Sequence, residues 1–537
     1  MSTGTNTRDR APGRAVTGLA LRQVRRGGLI MVLFAATMPA IVVGTYGSVT
    51  ADPTAMASLS ALATNPAIRT LFGEPLALDT AGGFTVWRIG TVLAVALGVW
   101  SVLTVTRTTR GEEEAGRWGV LLAGLMTPRQ VMIRHIAVVS GVAVAAGTAV
   151  TAVLWTAGPD RVSSIVFGAG LAGAGLFAAA VAALAAQVFP TRAPATGATI
   201  ALLGVGLLMR MVGDGLPWLG WLRWLSPFGL LAVSSPYHGD HPLPLLALYG
   251  GTALIAAAAV AAAGHRDIGG GLVNPTAGRR ARLRLLGSVA AFAVRRAIGP
   301  VGAWSAGIAA YFLLIGLTAA SVTDFLADNT VFTDSAARAG FVGLDAVKGF
   351  TATLFTLLAL PVGAFTAVRM GAFVAAEGER RLAPLAAQPV SRIRLLGADV
   401  VATTGGALLL VTVAALATWV GVTAVGGGLS LPEALYGTWN TLPIVLLSLG
   451  AATLATGWVP RLALLAGLLP ATGGFLFKVI AESTDAPARV LSASPFAHLA
   501  PVPFAEADAA GSVAMTSLAV LMIMAGAVGY RLRDLRG

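Results

Sequence analysis

Apolar runs long enough to cross a bilayer recur along this chain, and no other feature restricts its fold as tightly. A crossing helix needs ~20 predominantly apolar residues, because each residue adds only ~1.5 Å to its length. Such runs stand at about 27–48, 84–106, 132–157, 164–188, 195–213 and 242–263. They recur at about 300–322, 349–371, 395–425, 437–457, 461–478 and 509–530. Twelve spans predict an all-α polytopic membrane protein. Charged residues are 11% of the 537, against about 25% in soluble domains. A soluble fold has too much obligatory surface to hide the remainder. A water-soluble enzyme, a disordered chain and a secreted disulfide scaffold are therefore excluded for the chain as a whole. With no cysteine present, thiolate metal sites and cysteine nucleophiles are excluded too. The basic N-terminus leads into a full-length span, so no cleavable signal peptide is expected.

The placement of basic charge orients the spans. With the N-terminus inside and the chain alternating, inside segments hold 28 of the 37 Lys and Arg, and outside segments hold 9. The positive-inside rule then predicts a multi-pass protein of the cell membrane with both termini cytoplasmic. Trp218, Trp221 and Trp224 recur every three residues before span 6. That spacing predicts a short helix lying in or dipping into the outer leaflet.

Landmarks repeat along the chain. "LSPFGLL" at Leu225–Leu231 answers "ASPFAHL" at Ala493–Leu499, a shift of 268. "RGEEEAGRWGVLLAGLMTPRQ" at Arg110–Gln130 answers "AAEGERRLAPLAAQPVSR" at Ala375–Arg392; pairing Glu114 with Glu377 and Arg117 with Arg380 gives a shift of 263. Arg25-Arg26 answer Arg295-Arg296 with a shift of 270. These anchors predict two parallel six-span repeats, a pseudo-dimer: 1–270, a basic linker with an amphipathic segment at 271–299, and 300–537.

Chemistry is sparse. Neither Lys348 nor Lys478 sits in a G-x-x-x-x-G-K-[ST] phosphate loop, so this chain is expected to hydrolyse no ATP itself and to hold no catalytic residue or cofactor. No acid lies near the middle of a span, as proton coupling would require. Asp399, near Arg394, is expected to be paired or wetted, and Arg88, Arg210 and Arg369 to snorkel from span ends. His238 and His241 flank Asp240 at a possible ligand spacing, but a polar loop accounts for them better, and no metal is expected. Gly168, Gly170, Gly173 and Gly175 allow close helix packing in span 4.

The loops after spans 2 and 8 are the most informative. Glu112, Glu113 and Glu114 fit the first turn of a helix, where carboxylates meet the positive end of its dipole. Trp118, Leu121, Leu122 and Leu125 then recur as an apolar face, and Pro128 ends it. The second copy has Glu377, Glu379, Leu382 and Leu385 before Pro389. Either each helix rests on the bilayer or the two dock into two copies of one soluble partner.

At this point the chain resembles the type-2 ABC exporter permeases of actinobacteria, in particular the long fused kind that exports polyketide antibiotics (tetronasin-type). The carrying motifs are the two loop copies, "NPAIRTLFG" at Asn65–Gly73, "LSPFG" at Leu225–Gly229 and "HRDIGGGL" at His265–Leu272. The resemblance implies an efflux permease paired with two copies of a separate P-loop ATPase subunit that binds ATP and Mg. It implies coupling helices at Glu112, Glu113, Glu114, Arg117, Trp118 and Leu121, and at Glu377, Glu379, Arg380, Arg381 and Leu382. It also implies a substrate cavity lined by spans 1, 2, 5, 7, 8 and 11. Candidate lining residues there are Phe34, Met38, Trp100 and Met209, with Phe355, Phe365, Phe475 and Phe477. Expected partners are membrane lipid and hydrophobic or amphipathic small molecules, not nucleic acid. The second loop has fewer acids than the first, so the two ATPase contacts are expected to be unequal. An ion-coupled secondary multidrug transporter is the alternative; a non-transporting membrane scaffold is a third reading.

Overall fold

The computed structural model describes residues 12–50, 69–70, 73–124, 126–158, 160–273, 285–328, 346–483 and 487–533. Among the described residues the secondary structure is helical and no strand occurs. Twelve helices are long and apolar enough to cross a membrane. They fall into two compact units, 1–279 and 280–537, six to each.

In the first unit the spans are span 1 (Pro12–Thr50), span 2 (Ala81–Thr106), span 3 (Pro128–Leu154), span 4 (Arg161–Val188), span 5 (Arg192–Gly215) and span 6 (Leu243–Ala263). Span 4 is the axis of this unit and packs on spans 2, 3, 5 and 6. Its glycines explain how one helix serves so many neighbours. A Cβ at Gly168 would overlap the backbone of Gly147 on span 3, one at Gly173 would meet Leu248 of span 6, and one at Gly175 would meet Leu97 of span 2. Close backbone approach stabilises such packing in a bilayer, where apolar burial between helices gains little.

In the second unit the spans are span 7 (Val289–Asp328), span 8 (Val347–Gly378), span 9 (Arg392–Ala424), span 10 (Leu442–Trp458), span 11 (Ala463–Ser483 in three pieces) and span 12 (Ala509–Leu532). Span 10 packs on spans 8, 9, 11 and 12, and Gly457 and Gly526 bring it against span 12 backbone to backbone.

Three boundaries differ from the hydropathy reading. Spans 1 and 7 begin well before their apolar runs, and span 7 continues as one helix through Gly299 and Pro300. Residues 289–299, placed in the linker by the hydropathy reading, are thus the first part of span 7, with the Ser288 hydroxyl accepting from the Ala291 amide at 3.1 Å at its start; most of the basic amphipathic segment before Leu286 lies outside the described residues. Before span 10 stands a separate helix, Leu431–Trp439, with Ser430 and Glu433 forming a capping box. In span 11 a π-turn, Leu469–Gly473, surrounds Pro470, which lacks the amide a regular turn would use. The expected outer positions at Asn65 and Asp334, and the linker around Thr276, lie outside the described residues.

Candidate functional site

The loop after span 2 begins with a correction. The three glutamates do not open a helix; they close one. The helix of span 2 continues through a π-turn, Arg107–Gly111, into Glu112–Glu114, since no breaker interrupts it. The break comes at Gly116, whose φ of +73° is left-handed, a conformation glycine adopts without a Cβ clash. A short helix, Arg117–Leu122, follows. Pro128 opens span 3 instead of ending this helix: Thr127 caps that span in a capping box with Gln130, and Pro suits a first helical position.

Each charge then finds a definite place. Glu113 is buried, with its side chain 2% exposed. Its carboxylate accepts from Arg110 Nη1 at 2.9 Å, from Arg266 Nη1 and Nη2 at 2.6 Å each, and from the Gly269 amide at 2.7 Å. Glu112 accepts from Arg117 Nε at 2.6 Å and Nη2 at 2.7 Å, and this two-pronged bond raises the Arg117 guanidinium above its ordinary pKa. Glu114 accepts from the Arg192 amide at 2.6 Å, at the start of span 5. Trp118 is buried between Val16 and Val131, with Leu121 and Leu122 packed alongside, and its ring lies 6.2 Å from that of His135. Glu113 and Trp118 thus anchor the loop from inside. The exposed groups are Glu114, Arg117 and Val120. Leu125 lies outside the described residues.

The second loop has the same plan in a different register. Span 8 runs through Glu377, whose carboxylate accepts from Arg533 Nη2 at 2.6 Å. The left-handed turn residue is Arg380, with φ +59°. Leu382 is buried among Met370, Phe373, Leu396 and Tyr530. The Ser391 hydroxyl accepts from the Arg394 amide as span 9 starts. Glu113 and Glu377, Gly116 and Arg380, Trp118 and Leu382, Thr127 and Ser391 are each 264 residues apart. The sequence pairing of Glu114 with Glu377 was therefore one residue out: burial and the turn set the register, not the charge pattern. Glu379 pairs with Arg381 at the surface, both more than half exposed, and Arg380 is exposed between them.

Two arginines expected to snorkel are instead buried in ion pairs. Arg210 Nε lies 2.7 Å from Asp214, whose side chain is fully buried. Arg369 donates to Asp399 at 3.2 Å, and Arg296 donates to the other carboxylate oxygen at 3.2 Å. Asp399 is paired as expected, but its partners are these two and not Arg394.

At the end of the first unit opposite this loop, Pro217–Leu225 forms a 3₁₀ helix. Trp218, Trp221 and Trp224 are exposed on it in one row, as three residues per turn dictates. Beside it a recess of about 60 Å³ is lined by Trp87, Phe167, Phe228, Arg210, Asp214 and Arg223. Asp240 accepts from Ser163 at 2.6 Å and from the Tyr237 amide at 3.2 Å, so it locks a turn between His238 and His241. Burial raises the pKa of the Tyr237 phenol in that turn.

The eight cavity candidates separate. Phe355 and Phe365 are fully buried in the core of the second unit, against Phe312 and Trp304 respectively. Phe34 and Phe477 are exposed, and Met38, Trp100, Met209 and Phe475 are half-buried. Sequence reasoning missed a wholly apolar recess of about 610 Å³ in the second unit, lined by Leu454, Trp458, Leu462, Leu469, Pro470 and Met522. Pro470, within the π-turn, lies in its lining.

Comparison with known proteins places this arrangement. The family model described as "Multidrug efflux system permease Rv1217c, C-terminal domain" matches residues 14–266 and 286–531. The multidrug efflux system permease protein Rv1217c of Mycobacterium tuberculosis is 28% identical over 517 residues, covering 95% of this chain and 92% of that protein.

Proposed function

The chain belongs to the family of the multidrug efflux system permease Rv1217c, and from that membership we propose that it is the permease subunit of an ATP-driven ABC efflux pump. It moves hydrophobic or amphipathic compounds, including those of the polyketide-antibiotic kind. ATP and Mg are bound by two copies of a separate P-loop subunit. Both termini face the cytoplasm, and the loops after spans 2 and 8 are the docking points.

The observation that carries this reading is the matched pair of loops. Each is anchored by one arginine-bound acid, Glu113 fully and Glu377 partly buried, and by one buried apolar side chain, each 264 residues from its counterpart, and each presents exposed charge beyond that anchor. Two like platforms suit two copies of one soluble subunit. Proton coupling is disfavoured because the buried acids Glu113, Asp214 and Asp399 are each tied to an arginine.

The test is charge reversal at the exposed positions, Arg117→Glu and Arg380→Glu. Arg117 is 61% exposed, so its pair with Glu112 contributes at most ~1 kcal/mol to folding. At a docking contact, loss of one partner costs roughly 2–5 kcal/mol. Each variant should insert normally and copurify with less ATPase, and the double variant should export nothing. A double variant that retains its ATPase and full export would show that these loops are ordinary interfacial segments.

A further inference from the structure

The backbone of the "HRDIGGGL" motif is held by an unusually dense set of hydrogen bonds. After span 6 the chain turns back and lies across the end of span 4. The Leu272 and Val273 amides donate to the Gln187 and Val188 carbonyls at 3.0 Å each. Arg266 Nε donates to Gln187 Oε1 at 2.7 Å while its other nitrogens grip Glu113. Gly269 has φ +84° and gives its amide to Glu113. Gly270 offers its carbonyl to Arg110 Nη2 at 2.6 Å and to Arg266 Nη1 at 3.1 Å. Gly271 lies so near the turn after span 4 that a Cβ would stand 2.7 Å from the Val188 carbonyl oxygen and 2.8 Å from the Pro190 nitrogen. Gly269 is thus required by its left-handed backbone and Gly271 by its close approach to the turn after span 4.

We propose that His265–Val273 is a positioning strap that ties the loop after span 2 to the ends of spans 4 and 6, with Arg266 its main fastener. A displacement of the loop by a docked subunit must drag Glu113, and with it Arg266 and the ends of both spans. The strap rests on the docking reading for its use in transport, but its hold on the loop does not. Glu377 is held by Arg533 alone among the described residues, with side chains 12% and 18% exposed, so the first loop is the stiffer of the two.

The test uses the full chain in lipid vesicles, with a nitroxide on Val120→Cys. That site is 79% exposed, and the chain has no other cysteine. Arg266→Ala should raise the mobile fraction of the spectrum about tenfold, the effect of losing charge-assisted hydrogen bonds. Arg266→Lys should fall between, since it keeps the charge and loses the two-pronged donor. In the assembled complex, export per ATP hydrolysed should fall several-fold in the same order, at unchanged membrane abundance. If Arg266→Ala does not reach the membrane, Arg266→Lys and Gly269→Ala carry the same comparison. Spectra identical to the wild type would overturn the strap. Mobile loops with unchanged export per ATP would overturn its positioning role. A loop mobilised by Arg266→Ala, in a chain whose wild-type form binds no ATPase, would support the strap and sink the docking reading instead.

Discussion

Asp399 offers the sharpest single perturbation of the second unit. It sits between Arg369 and Arg296, and the three side chains are 4%, 5% and 20% exposed respectively. Replacing it with Leu removes both bonds and leaves Arg369 buried with its charge uncompensated, which costs roughly 3–5 kcal/mol. Arg296 adds little to that figure, since it already reaches solvent. Asp399→Asn keeps an acceptor but loses the charge and should cost about 1.5–3 kcal/mol. For a unit of this size each kcal/mol corresponds to about 2–4 °C, so Asp399→Leu should melt roughly 10 °C below the wild type. The assay is loss of the monodisperse peak of the detergent-solubilised full chain on heating. The double variant Arg369→Met with Asp399→Leu removes the stranded charge with its partner and should recover most of the loss. An Asp399→Leu protein that melts with the wild type would refute the reasoning, as would a double variant no better than the single one.

Other outcomes test the rest of the picture. Single cysteines at Asn65, Pro236, Asp334 and Pro487 should react with an impermeant thiol reagent applied to intact cells, whereas cysteines at Thr276 and Arg536 should not; the reverse pattern would invert the topology. The chain reconstituted alone should neither hydrolyse ATP nor move a dye in response to a proton gradient, and gradient-driven dye movement would establish a secondary transporter. Gly271→Ala should destabilise the first unit by about 1–3 kcal/mol, because the clash is with backbone and not with a movable side chain, and the same heating assay reads it. Trp118→Ala should cost roughly 3–5 kcal/mol through the cavity it leaves, an effect that would be absent if this side chain rested on lipid.

Much of the fold was legible in the chain because a bilayer imposes one requirement on every span. Backbone polar groups must be satisfied inside the helix, so ~20 apolar residues in a row announce a span without reference to any neighbour. Span number, helical class and the two-fold recurrence of motifs all followed from local signals. What the loops after spans 2 and 8 do with their charges did not. Three consecutive glutamates have the same chemistry in sequence, yet Glu112 meets Arg117 at the surface, Glu113 is buried under a strap 153 residues away, and Glu114 meets the start of span 5. Likewise Phe355 and Phe365 look no different from Phe34 until the neighbouring helices bury them. Burial and ion pairing depend on which residues of other spans arrive at the same place. Only tertiary packing decides that, and it also moved the repeat register by one residue, since a left-handed turn and a buried side chain constrain the chain more tightly than a run of like charges.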